Sequence, residues 1–310
     1  MAKLKLLYGG LKSYLPRAAY TMAEHPVDAR YGYAVWMRHL AMLHRHDIDG
    51  PFAKVVELGP GNSIATGVAA LLSGTQTYTG LDVLQHMASN SNAAVFEEVV
   101  ELFRTRAPIP GPEAYPSMCP ALEDYAFPAA ALDTAVIDAP ERVPAIRAAV
   151  LNPETDSQGM FRHIVPWDAG CIAPDSTDLI LTQAVLQEIP HEPDVDALRQ
   201  TIYTMADWLA PGGHMSHQID FGIYGLEPWN MHWKWTDLEW KLIRGRRDNF
   251  VNRAPLSTYL NLLRECGLTI VATEATLQPG IADFALSRRY RVLPEIERRT
   301  RAVHVIARKP

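Results

Sequence analysis

Cysteine is scarce in this chain: Cys119, Cys171 and Cys266 are the only three in 310 residues, and none forms a CxxC pair. That excludes a disulfide-built scaffold and a zinc knot, and so odd and sparse a set of thiols fits a reducing cytoplasm. No run approaches the ~18 uninterrupted apolar residues of a membrane span. Residues 1–15 begin with the basic character of a secretory leader. Gly9, Gly10 and Lys12 break its apolar run and no small-residue cleavage site follows, so no leader is expected. An excess of positive charge is missing too. The formal net charge is −6, the wrong sign for a dedicated nucleic-acid binder. Arginines gather late, between 244 and 247 and between 288 and 301, and are read as solvated faces or anion contacts. Neither an internal repeat nor a low-complexity tract is present.

What remains is a globular composition, 48% hydrophobic and 21% charged, on a chain long enough to bury a full core. Apolar spacing predicts a helix over 33–43, ended by Asp49-Gly50-Pro51. A buried strand follows at 52–58, then a Gly-Pro-Gly turn, a small-residue helix over 63–73, a second strand at 78–83 and an amphipathic helix over 88–106. This order makes a βαβ unit with parallel strands. Six prolines between 108 and 128 then forbid a long helix or a central strand. Residues 107–158 are therefore read as an insertion at the sheet edge or over its mouth. Alternation resumes with strands at 162–165 and 178–183, a helix over 195–209, and a strand at 214–221 after Pro211-Gly212-Gly213. A helix over 256–266 and two strands, 269–277 and 303–307, complete the pattern.

The densest signal is Val55-Val56-Glu57-Leu58-Gly59-Pro60-Gly61-Asn62-Ser63. A buried strand running into glycines at a helix start lets the backbone approach a ligand and aims N–H groups at it. Asp82, 25 residues after Glu57, ends the second strand, where a carboxylate can accept both hydroxyls of a ribose. Two ligands compete for such a loop. A dinucleotide favours a third glycine where Ser63 stands. S-adenosylmethionine carries no phosphate and calls instead for acids beside its aminoacyl end and its ribose.

Glu57, Gly59 and Gly61 with Asp82 resemble the first two motifs of class I S-adenosylmethionine-dependent methyltransferases. Residues 165–169 (Val-Pro-Trp-Asp-Ala) and 173–188 resemble the third and fourth, and 209–214 resembles the turn into the fifth strand. The matches run in order over about residues 52–221. The resemblance implies a Rossmann-like, doubly wound α/β sheet of seven strands, mostly parallel with the last antiparallel. It would carry helical lid insertions at about 107–158 and 222–254 and an N-terminal helical lid over 1–50. It implies a cofactor site built from Glu57, Gly59, Pro60, Gly61, Ser63, Asp82, Val83, Asp168, Ala169 and Gln183, with Asp168 accepting from the adenine amine and Gln183 beside the sulfonium. The Gly-Pro-Gly-x-Ser turn, residues 216–220 and Asn252-Arg253 are also similar to bacterial methyltransferases of polysaccharide and specialised-metabolite synthesis. The expected partner is a small-molecule acceptor.

A hydroxyl acceptor needs a base near neutral pKa, and histidine is the usual choice. His217, His191 and His232 are the candidates. Asp220 with His232 is one pair in which an acid orients the imidazole, and Glu188 with His191 is the other. Trp229, Asn230, Trp233, Trp235 and Arg253 form an aromatic wall suited to an organic acceptor, a lid packed onto the core, or a homodimer contact. Arg30, Tyr31 and Tyr33 either close the site or tether a helix. No acidic pair follows the fourth strand, so no metal is expected. Oxygen is the expected target, with a small amine as the alternative. A nicotinamide-dependent oxidoreductase and a non-catalytic cofactor-binding scaffold are the readings from other classes. A base-flipping nucleic-acid enzyme is disfavoured, since 181–184 lacks the polar-Pro-Pro-aromatic tetrad.

Overall fold

Strand β1 (Lys54–Leu58) is the axis of the architecture, because four of its five residues are buried and it pairs with a neighbour on each side. Parallel strands covered on both faces read as near-continuous apolar runs, and Val55, Val56 and Leu58 fit this, with the buried Glu57 as the exception. The computed structural model describes residues 2–15, 28–85, 91–133, 135–153, 156, 158–191, 196–223, 225–247 and 250–310. In chain order its elements are α1 (Ala2–Lys12), α2 (Ala29–His44), β1, α3 (Ala65–Leu72), β2 (Thr77–Leu81), α4 (Asn92–Arg104), α5 (Ala135–Asp138), α6 (Arg142–Leu151) and β3 (Phe161–Ile164). There follow β4 (Thr177–Gln183), α7 (Ala197–Trp208), β5 (Leu209–Asp220), α8 (Asp237–Arg244), α9 (Leu256–Glu265), β6 (Thr269–Leu277), α10 (Arg288–Arg291), α11 (Glu295–Arg299) and β7 (Thr300–Arg308).

The seven strands lie in the order β3-β2-β1-β4-β5-β7-β6. The first five are parallel, and β7 runs antiparallel between β5 and β6. Order reverses between β1 and β4, and the carboxyl ends of strands at such a reversal are where open α/β sheets place a ligand. Helices α2, α3, α4 and α6 pack on one face through Trp36, Met37, Val68, Phe96 and Ile146. Helices α7 and α9 pack on the other through Ile202, Met205, Tyr259 and Leu263, where Trp229, Trp233 and Tyr290 join them. Among the described residues no helix is long and apolar enough to cross a membrane.

Two segments differ from the sequence expectation. The helix expected over 88–106 is seen from Asn92, and its residues 88–90 lie outside the described set. The Pro-Gly-Gly turn does not precede β5 but lies inside it: Leu209 pairs with Thr177 and His214 with Leu179, with a register shift between. Gly212 and Gly213 exchange backbone hydrogen bonds with Lys309, so the bulge is held by the residue after β7. The proline-rich insertion does two jobs. Its first part crosses α2, where the buried Arg38 donates to the carbonyls of Met118 (3.5 Å) and Pro120. Its last helix, α6, enters the core through Ile146, Ala149 and Val150.

Candidate active site

Glu57 is 2% exposed and lies on the α2–α3 face of β1. Directly opposite on β2 is Gly80, which has no side chain, so Tyr78, one diagonal step away, reaches across and donates its hydroxyl to the Glu57 carboxylate. Burial pushes the Glu57 carboxyl up to about 8; the Tyr78 hydrogen bond works against this and the Asp82 carboxylate adds to it. Both glycines of the following turn are left-handed, Gly59 at φ 76° and Gly61 at φ 72°. A Cβ on Gly59 would lie 2.5 Å from Val185 Cγ2, so only glycine lets the turn meet the segment after β4. A Cβ on Gly61 would meet nothing within 4 Å: this side of the turn faces open space. Ser63 Oγ accepts from Ala65 N (3.2 Å) at the start of α3.

Asp82 is buried at the end of β2, and its Oδ2 accepts from Gly61 N (3.2 Å). Val83, the next residue, is exposed. Beside Asp82 stands His163 of β3, with Nε2 3.6 Å from Oδ2. Asp82 also joins the chain after β3, since Trp167 N donates to its carbonyl (3.3 Å). Asp168 and Ala169 follow in the open: Asp168 Oδ1 accepts from Gly170 N (2.8 Å), and the Ala169 carbonyl from Trp208 Nε1 (2.9 Å). Gln183 ends β4, half-buried, and donates to Gln218 Oε1 (3.2 Å) of β5. The fold thus brings Glu57, Gly59, Gly61, Ser63, Asp82 and Gln183 to the carboxyl ends of β1, β2 and β4, with Asp168 on the loop after β3.

The segment after β4 is tied in place. Ala184 is left-handed at φ 53°, an uncommon conformation for alanine. Asn252 fixes the turn that follows: its N–H donates to Gln187 O (2.7 Å), and its Nδ2 to the carbonyls of Leu186 (2.9 Å) and Ile189 (2.8 Å). Its Oδ1 accepts from Tyr259 Oη (3.0 Å).

The acid–base pairs expected from the sequence are arranged otherwise. Asp220 bonds to Arg301 of β7 and accepts from Gly222 N (2.7 Å), so the Asp220–His232 pair is not formed. His232 is fully buried beside Trp240, 5.8 Å between ring centroids, and burial with the neighbouring Arg253 charge lowers its pKa to about 3. His217 points into the α7–α9 face and meets Thr182 Oγ1 (3.0 Å); burial lowers it to about 3 as well. His191 pairs through Nδ1 with Asp196 Oδ1 (2.8 Å), the cap of α7, and not with Glu188, whose carboxyl is raised by burial. Burial pushes Asp196 upward, but hydrogen bonds from His191 and Arg199 hold it below its ordinary value.

Trp229, Trp233 and Trp235 are at most 5% exposed and pack within the chain. Trp233 stacks on Tyr290 at 4.6 Å, and Trp235 on Trp240 at 5.9 Å. Asn230 is equally enclosed and accepts from Ile281 N (2.8 Å). Arg253 donates to the carbonyls of His232 (3.2 Å) and Trp235 (2.8 Å), meets Asp237 at 2.6 Å, and lies over the Trp240 ring. These residues are the interior of the 222–254 insertion and none of them is an open wall. Tyr33 is also core, donating to Ala107 O (2.5 Å), whereas Tyr31 lies edge-on to Tyr115 (5.4 Å) from the insertion. Desolvation and the nearby Glu57 carboxyl raise the Tyr31 hydroxyl above its ordinary value.

Sequence reasoning passed over Tyr78, His163 and Asp196. Tyr78 carried a signal, because it shares a face with Gly80 across from Glu57. The other two depend on strand pairing and on the path of a loop. Among the described residues no group of three or more metal-ligating side chains occurs.

No protein-family model matches the chain, and no curated protein does. Solved structures do. An S-adenosylmethionine-dependent methyltransferase from Mesorhizobium loti is 17% identical, over 90% of this chain and 100% of that one, at a TM-score of 0.44. One from Methanosarcina mazei is 14% identical, over 86% and 96%, at 0.43. A 4+2 cyclase is 14% identical, over 88% and 80%, at 0.39. At these identities and scores the likeness assigns no activity; the residues of the site have to do that.

Proposed function

We propose that the chain binds S-adenosylmethionine over the carboxyl ends of β1, β2 and β4 and passes its methyl group to a small organic acceptor, at a hydroxyl of a sugar or specialised metabolite. The observation that supports this reading best is the buried carboxyl of Glu57 beneath two left-handed glycines. Its charged neighbour is a second acid, Asp82, and not a cation. The Asp82 carboxylate would repel a pyrophosphate, whereas an ammonium and a sulfonium would be attracted to it and would favour release of the proton from Glu57. The antiparallel β7 also departs from the 3-2-1-4-5-6 order of nicotinamide-binding sheets.

S-adenosylmethionine supplies a methyl group on a positive sulfur, ready for in-line displacement by a lone pair. The protein's part is to hold and align. Asp82 would take the ribose hydroxyls, Asp168 the adenine amine, and Glu57 the aminoacyl end, with Gln183 near the reacting carbon. For the acceptor's proton we assign His191. Its Nδ1 is engaged by Asp196, which leaves Nε2 as the basic nitrogen.

Calorimetric titration with S-adenosylmethionine, S-adenosylhomocysteine and NADH tests the cofactor. The first two should bind, and Asp82→Ala should weaken both by about tenfold or more, the worth of a hydrogen bond to a charged group. Silence from a folded sample would sink the proposal, and NADH binding alone would favour an oxidoreductase. Binding without turnover over a wide acceptor panel would favour a scaffold. His191→Gln should lower kcat on a hydroxyl acceptor by about 10²–10⁴ and leave cofactor affinity unchanged. An amine acceptor would be indifferent to that change.

A further inference from the structure

Helix α1 packs one side onto the 222–254 insertion: Gly10 lies against the backbone of Leu242 and Ile243, and Leu6 and Leu7 pack beside Trp235 and Ile243. Its other side is apolar and exposed. Leu4, Tyr8, Leu11 and Leu15 are 71%, 69%, 58% and 62% exposed. Positions 4, 8 and 11 fall within a narrow arc of an α-helix, and Leu15 continues the spacing just past its end. On the adjoining α8, Leu238 (71%) and Leu242 (46%) are exposed as well. An apolar stripe left open on a helix that already has a buried side marks a contact surface.

The charge around the stripe identifies the contact. Lys5 and Lys12 are exposed, each roughly a quarter-turn from its centre, and residues 2–15 contain no carboxylate. Arg246 lies over the ring of Tyr14, at 5.1 Å from its centroid. The acids of α8 are already committed. Asp237 pairs with Arg253 and Arg289, and Glu239 closes the capping box of α8 with Thr236. Apolar side chains with flanking cations match an anionic lipid surface, where the stripe enters the acyl boundary and the lysines reach the headgroups. A second copy of the same surface would set lysine against lysine.

We infer that the exposed face of α1 docks this protein onto anionic lipid bilayers. One short apolar stripe with a few neighbouring cations gives weak, reversible, salt-sensitive attachment. The full chain is floated with vesicles of phosphatidylcholine alone or containing about one-third phosphatidylglycerol. It should rise with the anionic vesicles at low salt, stay down with the neutral ones, and be released in about 1 M salt. Lys5→Glu with Lys12→Glu should weaken anionic binding by about tenfold or more. Leu4→Ser with Leu11→Ser should do the same. All four side chains are exposed, so thermal melting should be unchanged. Failure to float with anionic vesicles at low salt overturns the inference. So does a concentration-dependent dimer in sedimentation that Leu4→Ser with Leu11→Ser dissolves, because a second copy would then be the occupant.

Discussion

A carboxyl group enclosed as Glu57 is resists ionisation, and the chain's stability must register that resistance. Its pKa rises from 4.5 to about 8 on folding, so between those values the folded state holds a proton that the unfolded chain has released. Stability from this group is therefore fully present below about 4.5 and is lost as pH rises toward 8. Each unit is worth about 1.4 kcal/mol, which sets several kcal/mol as the ceiling. Urea titrations of wild type and Glu57→Gln at about pH 5.5 and 8.5 check this. The wild type should lose stability relative to the variant as pH rises; parallel pH profiles would mean that Glu57 is ionised throughout. Asp82 is next to Glu57 and repels it, so Asp82→Asn should bring the Glu57 pKa back toward its ordinary value and flatten the wild-type slope.

At the scale of elements, the segment over 222–254 depends on the turn after β4, and Asn252 joins the two. Removing its side chain in Asn252→Ala strands the Ile189 carbonyl and the Tyr259 hydroxyl in buried surroundings and leaves the Leu186 carbonyl only the Ile189 N–H at 3.4 Å. The cost should be about 2–3 kcal/mol, read as a lower urea midpoint. Hydrogen exchange should quicken over 184–190, next to Gln183, before it changes in β1 or β2. Such couplings lie beyond a sequence reading, though the elements themselves did not. β1, β4, α9 and β6 fall within two residues of the segments expected from apolar spacing, because a buried strand or an amphipathic helix writes its period into its own residues. The β1 turn was legible for the same reason, since Gly59 and Gly61 meet a local demand for positive φ. The tryptophans were not. Trp229, Trp233 and Trp235 look the same in sequence whether they line a cavity or fill it, and only contacts such as that of Trp233 with Tyr290, far along the chain, decide. Asp220 likewise found Arg301, a partner 81 residues away that no spacing rule proposes.

For the whole molecule, four histidines enclosed among the described residues set the acid limit. His39, His217 and His232 have pKa values lowered to about 3 by burial, and His304 lies well below 6.5. His39 and His304 share Ser216 between them, at 2.7 and 2.8 Å from its hydroxyl. Each imidazole is neutral in the fold and takes a proton once released. The contribution of the first three is thus complete above about 6.5 and lost as pH falls toward 3, by up to about 1.4 kcal/mol per unit for each, and His304 acts in the same direction. A domain stability of order 10 kcal/mol does not survive far below pH 5 on these terms. Denaturant midpoints should peak near pH 6–7, between this limit and the opposite slope of Glu57; a midpoint unchanged down to about pH 4 would contradict it. The sheet adds a constraint in time. β6 joins it only through β7, and β7 also closes the side of β5, so the strand that completes the centre of this half emerges from the ribosome after all six others. Until then the nascent chain carries an open β5 edge and an unattached β6. A translation pause placed before residue 300 would prolong that exposure, and chaperone occupancy of the nascent chain should lengthen with the pause.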